Sequence, residues 1–323
     1  MAKPLAYLAY NPSAGRLPLK PFILRAAAIL RAHGWSVRVV RSEGGNHLTI
    51  LAREAAERGA DAFFVAGGDG SVNLATAGLV GSETALGLLP AGTTNVFARD
   101  LGLPTPSLTT WDAIEKSAAI LANAPVYRID VGFCNRRPFL LWAGIGIDAM
   151  AVNELEPRAK WEKPFTIPQY LAVGMKSAIQ IGGFPLRVIA DEHSVEDTFL
   201  MAVALNIRMF AGVARLSRAA LLDDGKMEMW LFKGKNLADA ARSALEVLTG
   251  KHVDSDRIRN LAFSEAEVSS TGNEVPVQVD GEPNGMAQVV KIKVQQRAMR
   301  ILVPPKARHF FSHQPERIIK ESV

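Results

Sequence analysis

The sequence is poor in the residues that make disulfide or metal frameworks. It has a single cysteine, Cys134, which excludes any internal disulfide scaffold. Its six histidines fall at no metal-ligand spacing. No apolar run reaches the roughly 18 residues that a spanning helix needs. Met1-Ala2-Lys3-Pro4 leads straight toward a strand, without the apolar core of a signal peptide. Blocks of like charge are missing as well. The net charge of +5 is dispersed over 323 residues, and no basic stretch carries a stacking motif, so no nucleic-acid partner is expected. A weak positive balance suits an anionic substrate or an anionic membrane surface. There is no internal repeat and no low-complexity tract. The expected location is cytoplasmic, with peripheral contact to the inner face of the membrane left open, and a homodimer is allowed.

Against these absences, 48% of the residues are hydrophobic, enough for real cores, and the length predicts two domains. The chain is organised around Ala66-Gly67-Gly68-Asp69-Gly70-Ser71-Val72-Asn73. The apolar run Ala62–Val65 before it reads as a buried strand, and Leu74–Ala77 after it reads as helix. A glycine-rich turn between strand and helix exposes backbone N–H groups, and the helix start adds partial positive charge, which together make a phosphate cradle. A carboxylate repels phosphate, so Asp69 belongs beside a Mg²⁺ ion or serves as a charge placed for catalysis. The plain alternative is a tight turn in which Asp69 is merely tolerated.

Strands and helices alternate through the first third. Leu5–Tyr10 predicts a strand ending at the polar turn Asn11-Pro12-Ser13-Ala14-Gly15. Phe22, Ile23, Ala26, Ile29 and Leu30 recur at helical spacing, with Gly34 as the residue just past the helix. Val37–Val40 predicts a second strand and His47–Arg58 a second helix. Ala85–Leu89 is a fourth strand, followed by Gly92-Thr93-Thr94-Asn95. This alternation predicts a doubly wound parallel α/β sheet, with the polar turns gathered at the strand carboxyl ends where such sheets bind ligands. After a helix near Leu108–Asn123 the texture changes to short strand-like runs: Val126–Cys134, Phe139–Ala143, Leu186–Ala190, Phe199–Leu205, Met227–Phe232, Ile258–Phe263, Val275–Val279, Val289–Val294 and Met299–Val303. Only Pro168–Ile181 and Leu237–Leu248 read as helix there, so the second half is expected to be mainly antiparallel β and sandwich-like.

Four motifs stand in order: Asn11–Gly15, Gly67–Asn73, Gly92–Asn95 and Asp280-Gly281-Glu282. In this order and spacing the chain resembles the diacylglycerol kinase catalytic family, in particular the bacterial lipid kinases grouped with sphingosine kinases, from Leu5 to about Val303. The resemblance implies a nucleotide-binding domain over 1–125, onto which 302–323 packs back, a β-rich lipid-substrate domain over 126–301, and an active site in the cleft between. It implies ATP and Mg²⁺ as cofactors. Asn11 and Gly15 lie in the first nucleotide turn, Ser42 near the nucleotide, Gly67, Gly68, Asp69, Gly70, Ser71, Val72 and Asn73 around the phosphates, and Thr93 on the second loop. Glu282 matches the family's proton acceptor, with Asp280 and Asp69 as catalytic partners. A structural Mg²⁺ would sit at Asp223-Asp224-Gly225-Lys226, held by Asp224 and the carbonyls of Leu221 and Lys226. The family often has Asp where this chain has Val96, and Asp100, four residues on, is a candidate to replace it.

Simpler readings compete at several positions. Asp280-Gly281 is also a common hairpin turn. Asp130 either reaches the site or pairs with Arg128, Asp148 serves a turn or helix cap, and Asn206 caps backbone. Arg158, Lys160, Trp161, Lys163, Phe165, Tyr170 and Lys176 interleave base and aromatic over 158–180, which suits contact with anionic lipid or an ordinary surface helix. Cys134 is expected in the core. The function expected is an ATP-dependent kinase of a hydroxyl on diacylglycerol, a sphingoid base or another membrane lipid. The alternatives are a kinase of a soluble substrate such as NAD, or a non-catalytic regulator that binds nucleotide or lipid.

Overall fold

The computed structural model of the chain describes residues 3–12, 18–107, 109–155, 182–212 and 214–319. The chain forms two compact units, the first from Met1–Val131, Leu222–Asp224 and Gln296–Val323, the second from Gly132–Leu221 and Gly225–Gln295. The predicted helix at 168–181 and the basic-aromatic segment 158–180 lie outside the described residues.

The first unit runs β1 (Leu5–Tyr10), α1 (Lys20–Ala32), β2 (Ser36–Arg41), α2 (His47–Glu57), β3 (Ala62–Gly67), α3 (Asp69–Leu79), β4 (Ala85–Pro90), α4 (Val96–Asp100) and α5 (Ala113–Leu121). The strands are parallel in the order β4-β3-β1-β2. Along β3 and β4 every residue is buried, which is why these segments read as continuous apolar runs rather than alternating ones. Helix α1 packs against α5 and α2 against α3, giving the two helical layers. The register sets Tyr10 beside Arg41 and Ala66, and Gly67 beside Pro90, so the turns after all four strands emerge at one edge of the sheet.

The second unit takes up the end of β5 (Pro125–Cys134), followed by β6 (Arg137–Phe139), β7 (Trp142–Gly146), α6 (Ile147–Leu155), β8 (Phe184–Ala190), β9 (His193–Leu205), β10 (Met209–Phe210), β11 (Ala214–Arg215) and β12 (Met227–Lys233). It continues through α7 (Leu237–Leu248), β13 (Ile258–Phe263), β14 (Glu265–Ser270), β15 (Val275–Val279), β16 (Glu282–Ala287) and the start of β17 (Val289–Leu302). Its strands run in the order β16-β15-β7-β9-β8-β14-β17, with β12 joining β9 to β13, and every pairing among them with a defined register is antiparallel. Alternate residues such as Leu186, Val188 and Ala190 on β8 and Val275, Val277 and Val279 on β15 point into one core. The architecture is therefore an α/β domain followed by an antiparallel β domain.

The two apolar runs at 289–294 and 299–303 belong largely to one strand, β17. Between them Arg297 adopts φ 49°, and its N–H donates to the buried Asp130 carboxylate at 2.7 Å. The last part of β17 returns to the first unit, where Ile301 pairs in parallel with Leu86. The closing segment carries β18 (Arg317–Ile318), which pairs with the start of β5.

Arg128 is paired with glutamates, not with Asp130. It donates to Glu83 at 2.8 Å and Glu316 at 2.5 Å, while Arg300 donates to Glu316 at 2.6 Å and also pairs with Glu83. Two arginines thus alternate with two glutamates, and the guanidinium groups hold the Glu316 carboxyl below its ordinary range despite the opposing effect of desolvation. A depressed carboxylate contributes stability above its unfolded pKa and loses it as pH falls through the folded one. Glu316→Ala is expected to cost about 1–3 kcal/mol, between the values for exposed and buried pairs. It should also flatten the acid side of the stability profile, as measured by urea unfolding between about pH 3 and 7.

Candidate active site

The central glycines serve contact rather than unusual dihedrals. None of Gly67, Gly68 and Gly70 has positive φ. A Cβ on Gly67 would fall 2.3 Å from Ser71 Oγ, and one on Gly92 would fall 2.5 Å from the Gly68 Cα. The β3–α3 turn and the β4–α4 loop are therefore pressed backbone to backbone, which only glycine permits. Helix α3 begins at Asp69 itself, earlier than the sequence predicts, with Gly68 at its N-cap and no side chain capping it. Ser71, Val72 and Asn73 are buried on the helix, so the surface the turn offers is Gly68–Gly70.

Asp69 joins the two loops. Its Oδ2 accepts from the Val96 N–H at 3.0 Å and from Thr94 Oγ1 at 3.2 Å, and its Oδ1 accepts from the Phe97 N–H at 3.2 Å. The acid caps the start of α4 from across the loop. Burial raises its pKa, and these hydrogen bonds oppose the rise. Asp69 is thus neither merely tolerated nor free of neighbours. Val96 contributes through its backbone N–H while its side chain is buried. Asn95 holds the same loop from within: its side chain accepts from Gly92 N–H at 2.9 Å and donates to Gly92 O at 2.7 Å, with the residue at φ 46°. The tolerance of asparagine for the left-handed region was the available signal for that role. Asp100 closes α4.

Around this pair of loops, the Asn11 N–H lies 3.4 Å from Ala66 O, and the buried Ser42 accepts from the Gly44 N–H through Oγ at 3.3 Å. Thr93 is exposed on the second loop. Gly15 lies outside the described residues. A cavity beneath the loops is lined by Gly67, Gly68, Asp69, Val72, Asn95 and Ala98, among others.

In the second unit, Asp280-Gly281 forms the two-residue link between β15 and β16, with φ 51° and 80°, the positive pair that a type I′ turn requires. Glu282 follows as the first residue of β16, half-buried. The Asp280 carboxylate accepts from the N–H groups of Leu140, Leu141 and Trp142 at 3.0, 2.9 and 3.0 Å. It is committed to fixing the chain before β7. Asp148, in the first turn of α6, accepts from Gln278 Nε2 at 2.6 Å, a bond to a neighbouring strand. Burial pushes its pKa to about 7, against the opposing effects of Gln278 and Trp142. Asn206 donates to Leu140 O at 2.9 Å, a backbone role. Cys134 is buried, its thiol pushed up to about 12, which suits a core residue.

Of the residues expected to hold a structural ion, Asp224 belongs to the first unit, while Leu221 and Lys226 belong to the second. Lys226 Nζ donates to Asp191 at 2.8 Å. The adjacent Asp223 is taken up by Ser312 and His313, whose N–H groups lie at 2.8 Å. Among the described residues no group of three or more His, Cys, Asp or Glu stands together. No described helix is long and apolar enough to cross a membrane.

Comparison with known proteins agrees with this layout. Residues 6–132 match the diacylglycerol kinase catalytic domain, and residues 142–303 match the YegS C-terminal NAD kinase beta sandwich-like domain. The diacylglycerol kinase of Bacillus subtilis (strain 168) is 27% identical over 285 residues, covering 87% of this chain and 90% of that protein. That of Mycobacterium tuberculosis (strain CDC 1551 / Oshkosh) is 28% identical over 279 residues, covering 81% and 86%. A crystal structure of a diacylglycerol kinase from Bacillus anthracis str. Sterne superposes with a TM-score of 0.75 at 22% identity, covering 94% of this chain and 98% of that one. The chain belongs to the diacylglycerol kinase catalytic family and is a lipid kinase, a class that uses ATP.

Asp69→Ala strands two N–H groups and a hydroxyl and is expected to cost about 2–3 kcal/mol, with Asp69→Asn, which keeps one acceptor, costing less, as read by urea unfolding. Asp148 generates a separate expectation. Its folded pKa near 7 lies well above the ordinary carboxylate value, so the folded chain binds the extra proton between the two. Stability therefore falls as pH rises from about 4 to 7, and Asp148→Asn should remove that slope.

Proposed function

We propose that the chain transfers the terminal phosphoryl group of ATP to a hydroxyl of diacylglycerol, a sphingoid base or a related membrane lipid. The observation that carries the nucleotide half of this reading is the pair of loops joined by Asp69, whose carboxylate is turned to the second loop and leaves Gly68 and Gly70 without side chains at the N-terminus of α3. Backbone N–H groups there, aided by the helix dipole, suit phosphate oxygens. The other turns at the same sheet edge, at Asn11, Ser42 and Thr93, would flank the nucleotide.

Three of the acceptor positions of Asp69 are already taken, so it offers negative charge more readily than a free lone pair. A Mg²⁺ ion would then be held mainly by the nucleotide's phosphates and water, with Asp69 nearby as counter-charge. When bound, it would neutralise charge on the transferring group. Glu282 is the proposed acceptor of the lipid hydroxyl's proton, and Asp280, through its three backbone bonds, is a positioning residue for it. The apolar lining that the acceptor's chains require is assigned to the second unit. Work at a membrane surface and peripheral binding follow from a substrate that resides in lipid.

The test is incubation with ATP labelled on the terminal phosphate and vesicles containing diacylglycerol or sphingosine, with NAD offered in parallel. Label is expected in the lipid product. Glu282→Ala should lower kcat by about 100- to 10,000-fold, the usual worth of a general base. Label entering NAD and not lipid would replace this reading with that of a soluble-substrate kinase.

A further inference from the structure

Gln278 is polar yet fully buried, and it stands in β15 among the core valines 275, 277 and 279. Its two amide ends face different partners. Oε1 accepts from the Gly281 N–H at 2.8 Å, and Nε2 donates to Asp148 Oδ2 at 2.6 Å. The Gly281 N–H can only donate, so it fixes the amide orientation and requires the amide nitrogen to face Asp148. Across the sheet, Gln278 is paired with Gly144 of β7, where a Cβ would fall 1.5 Å from Asp148 Oδ2 and 2.6 Å from Gln278 Nε2. The missing side chain at Gly144 is the space the polar pair occupies.

The same turn is also held at its other residue, where Asp280 accepts from the N–H groups of 140–142, immediately before and at the start of β7. Asp148 lies two residues past the end of β7. One strand therefore anchors the turn from both of its ends, through Asp280 at the start and through Gln278 and Asp148 at the finish. We infer that Gln278 and Asp148 are positioning residues that hold the Asp280-Gly281 turn, and with it Glu282, in the arrangement needed for phosphoryl transfer. This rests on the reading of Glu282 as proton acceptor.

The test exchanges the polarity of the pair. Gln278→Glu keeps an acceptor for Gly281 but removes the amide donor to Asp148, and assays above about pH 8, past the folded pKa of Asp148, set two carboxylates against each other. Asp148→Asn alone keeps an acceptor for Gln278. Combined, the asparagine amide donates to the new glutamate and the relay is restored in reverse. Gln278→Glu is expected to lower kcat on the order of 100-fold, as a misplaced group does, with KM for ATP unchanged. Asp148→Asn should stay within about threefold of the parent, and the double variant should return to within about threefold of Asp148→Asn. Hydrogen exchange across 279–283, normalised to urea stability, should quicken in Gln278→Glu and recover in the double variant. Wild-type kinetics in Gln278→Glu, no recovery in the double variant, or unchanged exchange would each overturn the inference. If the parent phosphorylates no lipid, the proposed function fails while exchange still decides whether the relay holds the turn.

Discussion

A desolvated carboxylate is costly unless donors surround it, and the two glycine-bearing turns at Asp69 and Asp280 are built on that requirement. Asp69 collects Thr94, Val96 and Phe97, and through them fixes the second loop against the first. The fit is so close that Gly92 has no room for a side chain against the Gly68 backbone. Removing the charge would therefore disturb more than one interaction: the start of α4, the loop carrying Thr93 and the surface presented by Gly68–Gly70 are all referred to the same pair of oxygens.

The second unit uses the same device with different parts. Asp280 collects three consecutive backbone N–H groups, and in doing so sits at positive φ in a tight turn. Such a backbone conformation carries a small strain, which a fully satisfied buried acid offsets. Both aspartates that the motif order singles out thus have a structural use in place before any ligand arrives. Rigid first-contact residues backed by hydrogen bonds are what efficient transfer demands, because little covalent chemistry remains for the protein to perform.

Much of this was legible in the sequence because the signals are local. Continuous apolar runs marked β3 and β4, spacing marked α1 and α2, and the change to short alternating runs marked the β domain. The more polar strands were harder. β16, whose Asn284, Gly285 and Met286 do not alternate cleanly, has no pattern to read, and β14 is hidden by its glutamates and serines. In the site, residue types were legible but partners were not. Nothing local links Asp69 to Val96, Asp280 to Leu140, or Gln278 to Asp148, because these bonds join positions 27 to 140 residues apart. Arg128 lies two residues from Asp130 yet pairs with Glu83 and Glu316, while Asp130 accepts from the distant Arg297 N–H.

The first unit is assembled from three stretches of chain, the last beginning at Gln296. During synthesis on the ribosome, the strand that pairs with β4 emerges only after every strand of the second unit has been made. Until then β4 presents an unpaired apolar edge, the kind of surface that invites association with other nascent chains. The order of completion thus departs from the order of synthesis: the segment bearing the glycine turn is translated early and completed last. Any shortening of the chain before Leu302 would leave that edge open permanently, whatever it spared of the turn itself.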